Sequence, residues 1–353
     1  MGTPPMFEIA GRKIGRDHSP YIVAELSGNH NGDIGRALAL VDAAADTGAD
    51  AIKIQSYTPE TITVRSNRPE FTISAGPWAG RTLHDLYAEA HTPFAWHERL
   101  FWRALERGVP IFSSPFDDTA VDLLSSLGAP AYKVASFEIV DIPLIRRIAR
   151  EGKPIIIATG MANLGEIGDA VAAARGGGLS EVALLHCTSA YPATVEDANV
   201  RTVRHLGEAF GCVSGVSDHT PGIGAAVAAV ALGGAIVEKH ITLARSDGGP
   251  DAAFSLEPDE FGALVRETKA AWASLGRIEY EVLGIEAGNL AFRRSLRAVR
   301  PIAAGEILTT AHVRSVRPAG GLEPKALPLV LGQRAKRAVE VGEPIDWDVL
   351  DSS

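Results

Sequence analysis

Cysteine is nearly missing from this chain. Two in 353 residues, Cys187 and Cys212, cannot build a disulfide framework. Each sits in an apolar run ("ALLHCTSAYP", "FGCVSGVSD"), so both read as reduced core thiols. Long hydrophobic runs are absent too. No stretch approaches the ~18 consecutive apolar residues of a membrane helix, and no membrane span is expected. The opening segment "MGTPPMFEIAGRKIG" has no basic stretch followed by an apolar one. It predicts no signal peptide, and with that a cytoplasmic protein. Positive charge is in deficit: 34 basic against 43 acidic residues give a net charge of −9. That argues against general nucleic-acid binding, yet leaves room for a local basic pocket. A Gly-x-Gly-x-x-Gly after the first predicted strand is also lacking, which counts against a dinucleotide-binding fold.

What is present is alternation. From Tyr21 to Leu275, short β-rich runs that end in polar residues alternate with Ala- and Leu-rich helical stretches. The predicted strands are "YIVAEL" (from 21), "AIKIQ" (51), "PIFSS" (110), "AYKVAS" (131), "PIIIAT" (154), "EVALLH" (181), "CVSGVSD" (212) and "AIVEKH" (235). Several intervening helices stop at glycine, as helix C-termini often do. Eight such units predict a (β/α)8 barrel, with a doubly wound open sheet as the rival. The segment after "AIKIQSYTPETI" is too long for an ordinary βα loop, and "TLHDLYAEAHTPFAW" within it predicts a short extra helix over the barrel mouth. After "FRRSLRAVRP" the runs become short, Val-rich and broken by Gly and Pro. This predicts a barrel domain over 1–282 and a small β-rich domain over 283–353.

In barrel enzymes the active site lies at the C-terminal ends of the strands. Seven of the eight predicted strands deliver polar groups there: Glu25; Lys53 with Gln55; Ser113, Ser114 and Asp117; Lys133, Ser136 and Glu138; Thr188, Ser189 and Tyr191; Ser217 with His219; Glu238 with His240. The two-residue period of a strand puts Lys53 with Gln55, Ser217 with His219, and Glu238 with His240 on common faces. His219 and His240 end adjacent strands, about 4.8 Å apart. Two imidazoles so placed suit one divalent ion with open positions, and Glu238 suits the orientation of a ligand or bound water. Lys53 and Lys133, with Ser114, Ser136 and Ser217, suit a small phosphorylated anion. Lys133 has the opposite parity to Ser136 and Glu138, so its strand must bend or end between them.

The ordered motifs "AELSGNHNGD", "ADAIKIQSYTPETIT", "SSPFD", "AYKVASFEI", "HCTSAYP", "GVSDHTPGI", "VEKHITL" and "GGPDAAFSLEP" resemble the sialic acid synthase family. The tail "RSVRPAGGLEPKALPLVLGQRAKRAVEVGEPI" resembles its antifreeze-like (SAF) domain. Within the family, "SSPFD", "ASFEI" and "GGPDAAFSLEP" look most like the pseudaminic acid synthase branch. Phe137 and Ala252–Phe254 offer an apolar lining consistent with its trideoxy sugar. Ser114 stands where many members have Thr, and the hydroxyl is kept. The resemblance implies condensation of phosphoenolpyruvate with 2,4-diacetamido-2,4,6-trideoxy-L-altrose, giving pseudaminic acid and phosphate. Sialic or legionaminic acid synthesis is the alternative within the family; a non-catalytic saccharide-binding protein is the alternative outside it. The resemblance further implies a divalent ion, Mn2+ before Mg2+ or Co2+, held by His219 and His240. Glu25 and Glu138 then act as acid/base groups. Lys53, Ser114, Lys133, Ser136, Ser217 and Thr188 hold phosphate and carboxylate, and Tyr191 and Asp251 contact the sugar. Arg317 reaches an acetamido group from the C-terminal domain, which in the family caps the partner's barrel in a domain-swapped homodimer.

Overall fold

The computed structural model describes residues 5–76, 78–178 and 181–351. Residues 1–4 of the segment read for a signal peptide lie outside them. Among the described residues an antiparallel hairpin comes first, β1 (Phe7–Ile9) and β2 (Arg12–Ile14). Eight parallel strands follow: β3 (Tyr21–Glu25), β4 (Ala51–Ser56), β5 (Ile111–Pro115), β6 (Tyr132–Val134), β7 (Ile155–Ala158), β8 (Val182–Cys187), β9 (Val213–Asp218) and β10 (Ile236–His240). They close in sequence order, β10 pairing with β3, which settles the barrel over the open sheet.

Strand parity sorts the side chains. Ile22, Ile52, Ile54 and Val237 point outward into a core shared with the helices. Tyr21, Val23, Phe112, Ile156, Leu185 and Ile236 point inward and fill the lower barrel. Phe7, Ile9 and Ile14 of the hairpin belong to that same inner cluster, so the hairpin plugs the N-terminal end. On most strands the next inward position up is polar, and these positions form the mouth. Gly215 serves this arrangement: a Cβ there would overlap the Ile236 carbonyl, so only glycine lets β9 and β10 approach as they do.

β6 is shorter than its predicted run. It stops at Val134 and a 3-10 turn, Ser136–Glu138, follows. That turn supplies the change of parity between Lys133 and Glu138. The long segment after β4 contains the expected extra helix, Leu83–Ala90, but "HTPFAW" is not part of it. His91 is extended, Pro93 cannot continue a helix, and Phe94 opens the next one, Phe94–Glu106. No helix among the described residues is long and apolar enough to cross a membrane.

The chain divides into two compact units between Gly276 and Arg277, a few residues ahead of the expected boundary. The second unit carries one antiparallel ladder, β11 (Ser295–Ala298) with β12 (Val313–Val316). Isolated bridges such as Ile302–Val339 and Ile307–Arg334 join the rest around Leu296, Val313, Val330 and Ile345. Its leading segment is apolar yet bare: Ile278 is 90%, Tyr280 96% and Ile285 89% exposed.

Candidate active site

The polar layer at the barrel mouth is a charge-alternating chain. Register sets Glu25 opposite Lys53 across β3 and β4, and Glu238 opposite Ser217 across β10 and β9. The Lys53 ammonium lies 3.0 Å from Glu25 Oε2 and 3.0 Å from Glu238 Oε1. Glu238 Oε1 also accepts from Ser217 Oγ at 3.0 Å and lies 3.8 Å from the Lys133 ammonium. Gln55 Nε2 donates to Glu25 Oε1 at 3.0 Å and to Ser27 Oγ at 3.1 Å. Ser27 in turn donates to Asp251 Oδ2, which the Gly28 amide also reaches at 3.2 Å. All these side chains but Gln55 are buried.

Burial and pairing set the protonation states. For Glu25, burial raises the pKa more than Lys53 lowers it. For Glu238, burial also opposes charge, but Lys133 and Lys53 bring the carboxyl down to about 2. Burial lowers Lys133, while for Lys53 the two carboxylates overcome burial and raise it. Glu138 is pushed up to about 7 by burial, and its Oε2 has no partner. Carboxyls whose surroundings push their pKa values apart, as those of Glu138 and Glu238 do, are the pattern of acid/base division of labour.

His219 and His240 stand with ring centroids 5.4 Å apart. His219 Nδ1 donates to the Thr188 carbonyl at 3.1 Å, which turns Nε2 away as a lone pair. His240 Nδ1 is buried without a partner, and burial, then His219 and three lysines, hold the ring neutral. For His219 burial opposes charge, yet Cys187, Thr188 and Glu238 raise the pKa, so a metal there displaces a proton. A neutral His240, and a His219 that gives up its proton on binding, fit a divalent ion. The donor set is short, since no group of three or more His, Cys, Asp or Glu is gathered among the described residues. The remaining ligands of such a centre come from solvent or substrate.

Aromatic rings flank the histidines. Tyr191 lies 4.5 Å from His219, and Phe254 lies 5.0 Å from His240 and 5.2 Å from Tyr191. Trp78, from the long segment after β4, packs at a tilt against Tyr191 with centroids 5.7 Å apart and donates its indole N–H to the Pro250 carbonyl at 3.0 Å. The site thus joins a charge-alternating chain of lysines and carboxyls to an aromatic wall.

Most residues singled out in the sequence meet here. Ser114 Oγ is buried and unpartnered, and register sets it opposite Gln55. Ser136 is buried next to Gly160, where a Cβ would overlap the hydroxyls of Ser189 and Ser136. The strand that brings no polar side chain, β7, therefore contributes room. Thr188 differs from expectation: its hydroxyl donates to the Asp197 carbonyl at 3.0 Å, so it ties down its own loop. Phe137, expected as apolar lining, is 60% exposed, because it sits at the centre of the turn that buries Ser136. Glu238, expected to orient a metal ligand, is engaged by Lys53 and Ser217. Arg317 lies in the second unit just past β12, in a cavity of about 580 Å³ with Asn289, Phe292, Arg293 and Arg294.

Three participants escape a sequence reading. Cys187 is buried, but inward, with its sulfur 3.8 Å from His219 Nδ1. Trp78 lies in an irregular segment with no period to orient it. Lys239 sits between Glu238 and His240 yet faces outward, and it pairs with Asp218 at 2.7 Å. The signal for that pair was available: both residues fall on the outward parity of strands predicted to be neighbours.

Comparisons with known proteins agree with this geometry. The NeuB family model matches residues 40–280, and the SAF domain model matches 293–351. Pseudaminic acid synthase of Helicobacter pylori is 40% identical over 336 residues, 95% of this chain and 98% of the relative. N,N'-diacetyllegionaminic acid synthase of Campylobacter jejuni is 35% identical, over 92% of this chain and 98% of its own. Among solved structures, N-acetylneuraminic acid synthetase from Leptospira borgpetersenii, in complex with citrate, superposes with a TM-score of 0.72 at 31% identity, covering 81% of this chain and 95% of that one. With a family model over most of its length and such relatives end to end, this chain belongs to the NeuB family and carries a SAF domain.

Proposed function

We propose that this chain is a pseudaminic acid synthase, joining phosphoenolpyruvate to 2,4-diacetamido-2,4,6-trideoxy-L-altrose in the cytoplasm. The observation that carries the reading is one buried layer that brings two lysines together with an aromatic-flanked pair of histidines. A phosphorylated carboxylate matches the lysines, and a deoxygenated, N-acylated sugar matches the aromatic flank.

Lys53 and Lys133, with the hydroxyls of Ser114, Ser136 and Ser217, hold the phosphate and carboxylate. Tyr191 and Asp251 contact the sugar. His219 and His240 would hold a divalent ion, Mn2+ in our reading, which when bound supplies Lewis-acid charge to the sugar aldehyde. C3 of phosphoenolpyruvate attacks that aldehyde carbon, and the new alkoxide takes a proton. Water adds at C2 and gives up a proton, and the C2–O bond then breaks to release phosphate. Glu25 is suited to move these protons, because it is paired with Lys53 and carries a raised pKa. Glu138 serves as the second acid/base group. Arg317 acts in a domain-swapped homodimer, where it completes the partner's site.

Incubating the protein with phosphoenolpyruvate, Mn2+ and each candidate sugar tests the reading. Phosphate release is expected with the diacetamido trideoxy altrose. Faster turnover with N-acetylmannosamine or the legionaminic precursor would move the chain to another branch. Exhaustive chelation is expected to abolish release, and full activity in verified metal-free protein would remove the ion.

A further inference from the structure

Lys239 takes no part in the condensation. Its side chain is fully buried, and the register places it opposite Asp218. Lys239 Nζ donates to Asp218 Oδ2 at 2.7 Å, to the Thr220 carbonyl at 2.7 Å and to the Asp218 carbonyl at 3.4 Å. The other carboxylate oxygen, Asp218 Oδ1, accepts from the Thr220 amide at 2.9 Å and its hydroxyl at 2.7 Å. The backbone on both sides of His219 is therefore fastened to the residue that precedes His240.

We propose that Lys239 and Asp218 form a clamp on the outer face of the barrel that fixes the spacing and aim of the His219 and His240 rings, and so tunes their affinity for a divalent ion. The inference rests on the metal reading above. Its geometry is specific. His240 Nδ1 has no hydrogen-bond partner, so the ring is aimed by its packing and its backbone. His219 is held through its own ring by Thr188, but its position relative to His240 is set by the turn that Lys239 pins. A buried ion pair adds little stability over an apolar pair of similar size. Direction is what it supplies and an apolar pair does not. Lys239 and Asp218 are positioning residues: neither touches the space between the imidazoles.

Mn2+ alone is the probe, titrated into the full-length protein by calorimetry, with melting temperature recorded for every variant. Loss of groups that orient metal ligands typically weakens binding 10- to 100-fold, and that range is expected for K239M. The double variant D218L/K239M removes both charges, so it is expected to melt near the wild type while still binding Mn2+ weakly. T220V removes only the hydroxyl's bond to Asp218 and is expected to bind about threefold more weakly, the low end of one hydrogen bond's worth. A well-folded double variant that binds Mn2+ as tightly as the wild type would overturn the clamp. H219A and H240A separate the two ideas. If they bind Mn2+ as the wild type does, the metal reading fails, and the clamp with it. If they abolish binding and the double variant does not weaken it, the clamp alone fails.

Discussion

At the scale of single residues, the environment of each carboxyl matters more than its identity. Glu25 and Glu238 share one lysine, yet burial raises the first while two lysines keep the second ionised. Glu25→Gln keeps the side chain's shape and removes the proton carrier, while its amide leaves one of two donors, Gln55 or Lys53, without an acceptor. Turnover is expected to fall ~10²–10⁴-fold with an unchanged circular dichroism spectrum. Glu138 gives a second test. Its folded pKa of about 7 stands above the ordinary 4.5, so between those values the folded chain binds more protons than the unfolded one. Stability from this group is present below pH 4.5 and is lost as pH rises through about 7. Relative to the wild type, Glu138→Gln should therefore gain stability across that window in thermal melts. A constant offset would mean an ordinary carboxyl. The alternation of strand side chains made Lys53 with Gln55, and Glu238 with His240, legible in the sequence. It also set Lys239 and Asp218 on the outward faces of neighbouring strands, but only the structure shows their pair fully buried.

At the scale of elements, the eight barrel strands were readable because each is a short apolar run closed by a polar end. The hairpin Phe7–Ile14 was not, since three-residue strands leave no period to detect. The long segment after β4 was recognisable by length alone. Its function as a cover depends on Trp78, which joins it to Tyr191 and to the Pro250 carbonyl. Trp78→Ala removes a ring contact and a hydrogen bond at the aromatic wall. The expected result is a KM for the sugar raised about tenfold with the KM for phosphoenolpyruvate unchanged. Trp78→Phe, which keeps a ring, should fall between. Equal effects on both substrates would argue that the segment organises the whole mouth.

At the scale of the molecule, composition argued against a membrane span and against general nucleic-acid binding, and the motif order pointed to one family, but no local pattern tells which barrel a tail serves. Subunit exchange answers that. His219→Ala and Arg317→Ala are each expected to be nearly inactive. Mixed and allowed to exchange, a domain-swapped homodimer regains roughly a quarter of wild-type activity, because half the dimers hold one intact site. No recovery with verified exchange would assign Arg317 to its own barrel. The bare run led by Ile278, Tyr280 and Ile285 adds a consequence for anyone assaying this protein. Apolar side chains so exposed call for a covering surface. If the partner supplies it, each chain works only while accompanied, and specific activity becomes a matter of mass action. Diluted below the dimer dissociation constant, the enzyme should lose turnover per chain, regain it on concentration, and begin its progress curves with a lag that shortens as protein is added.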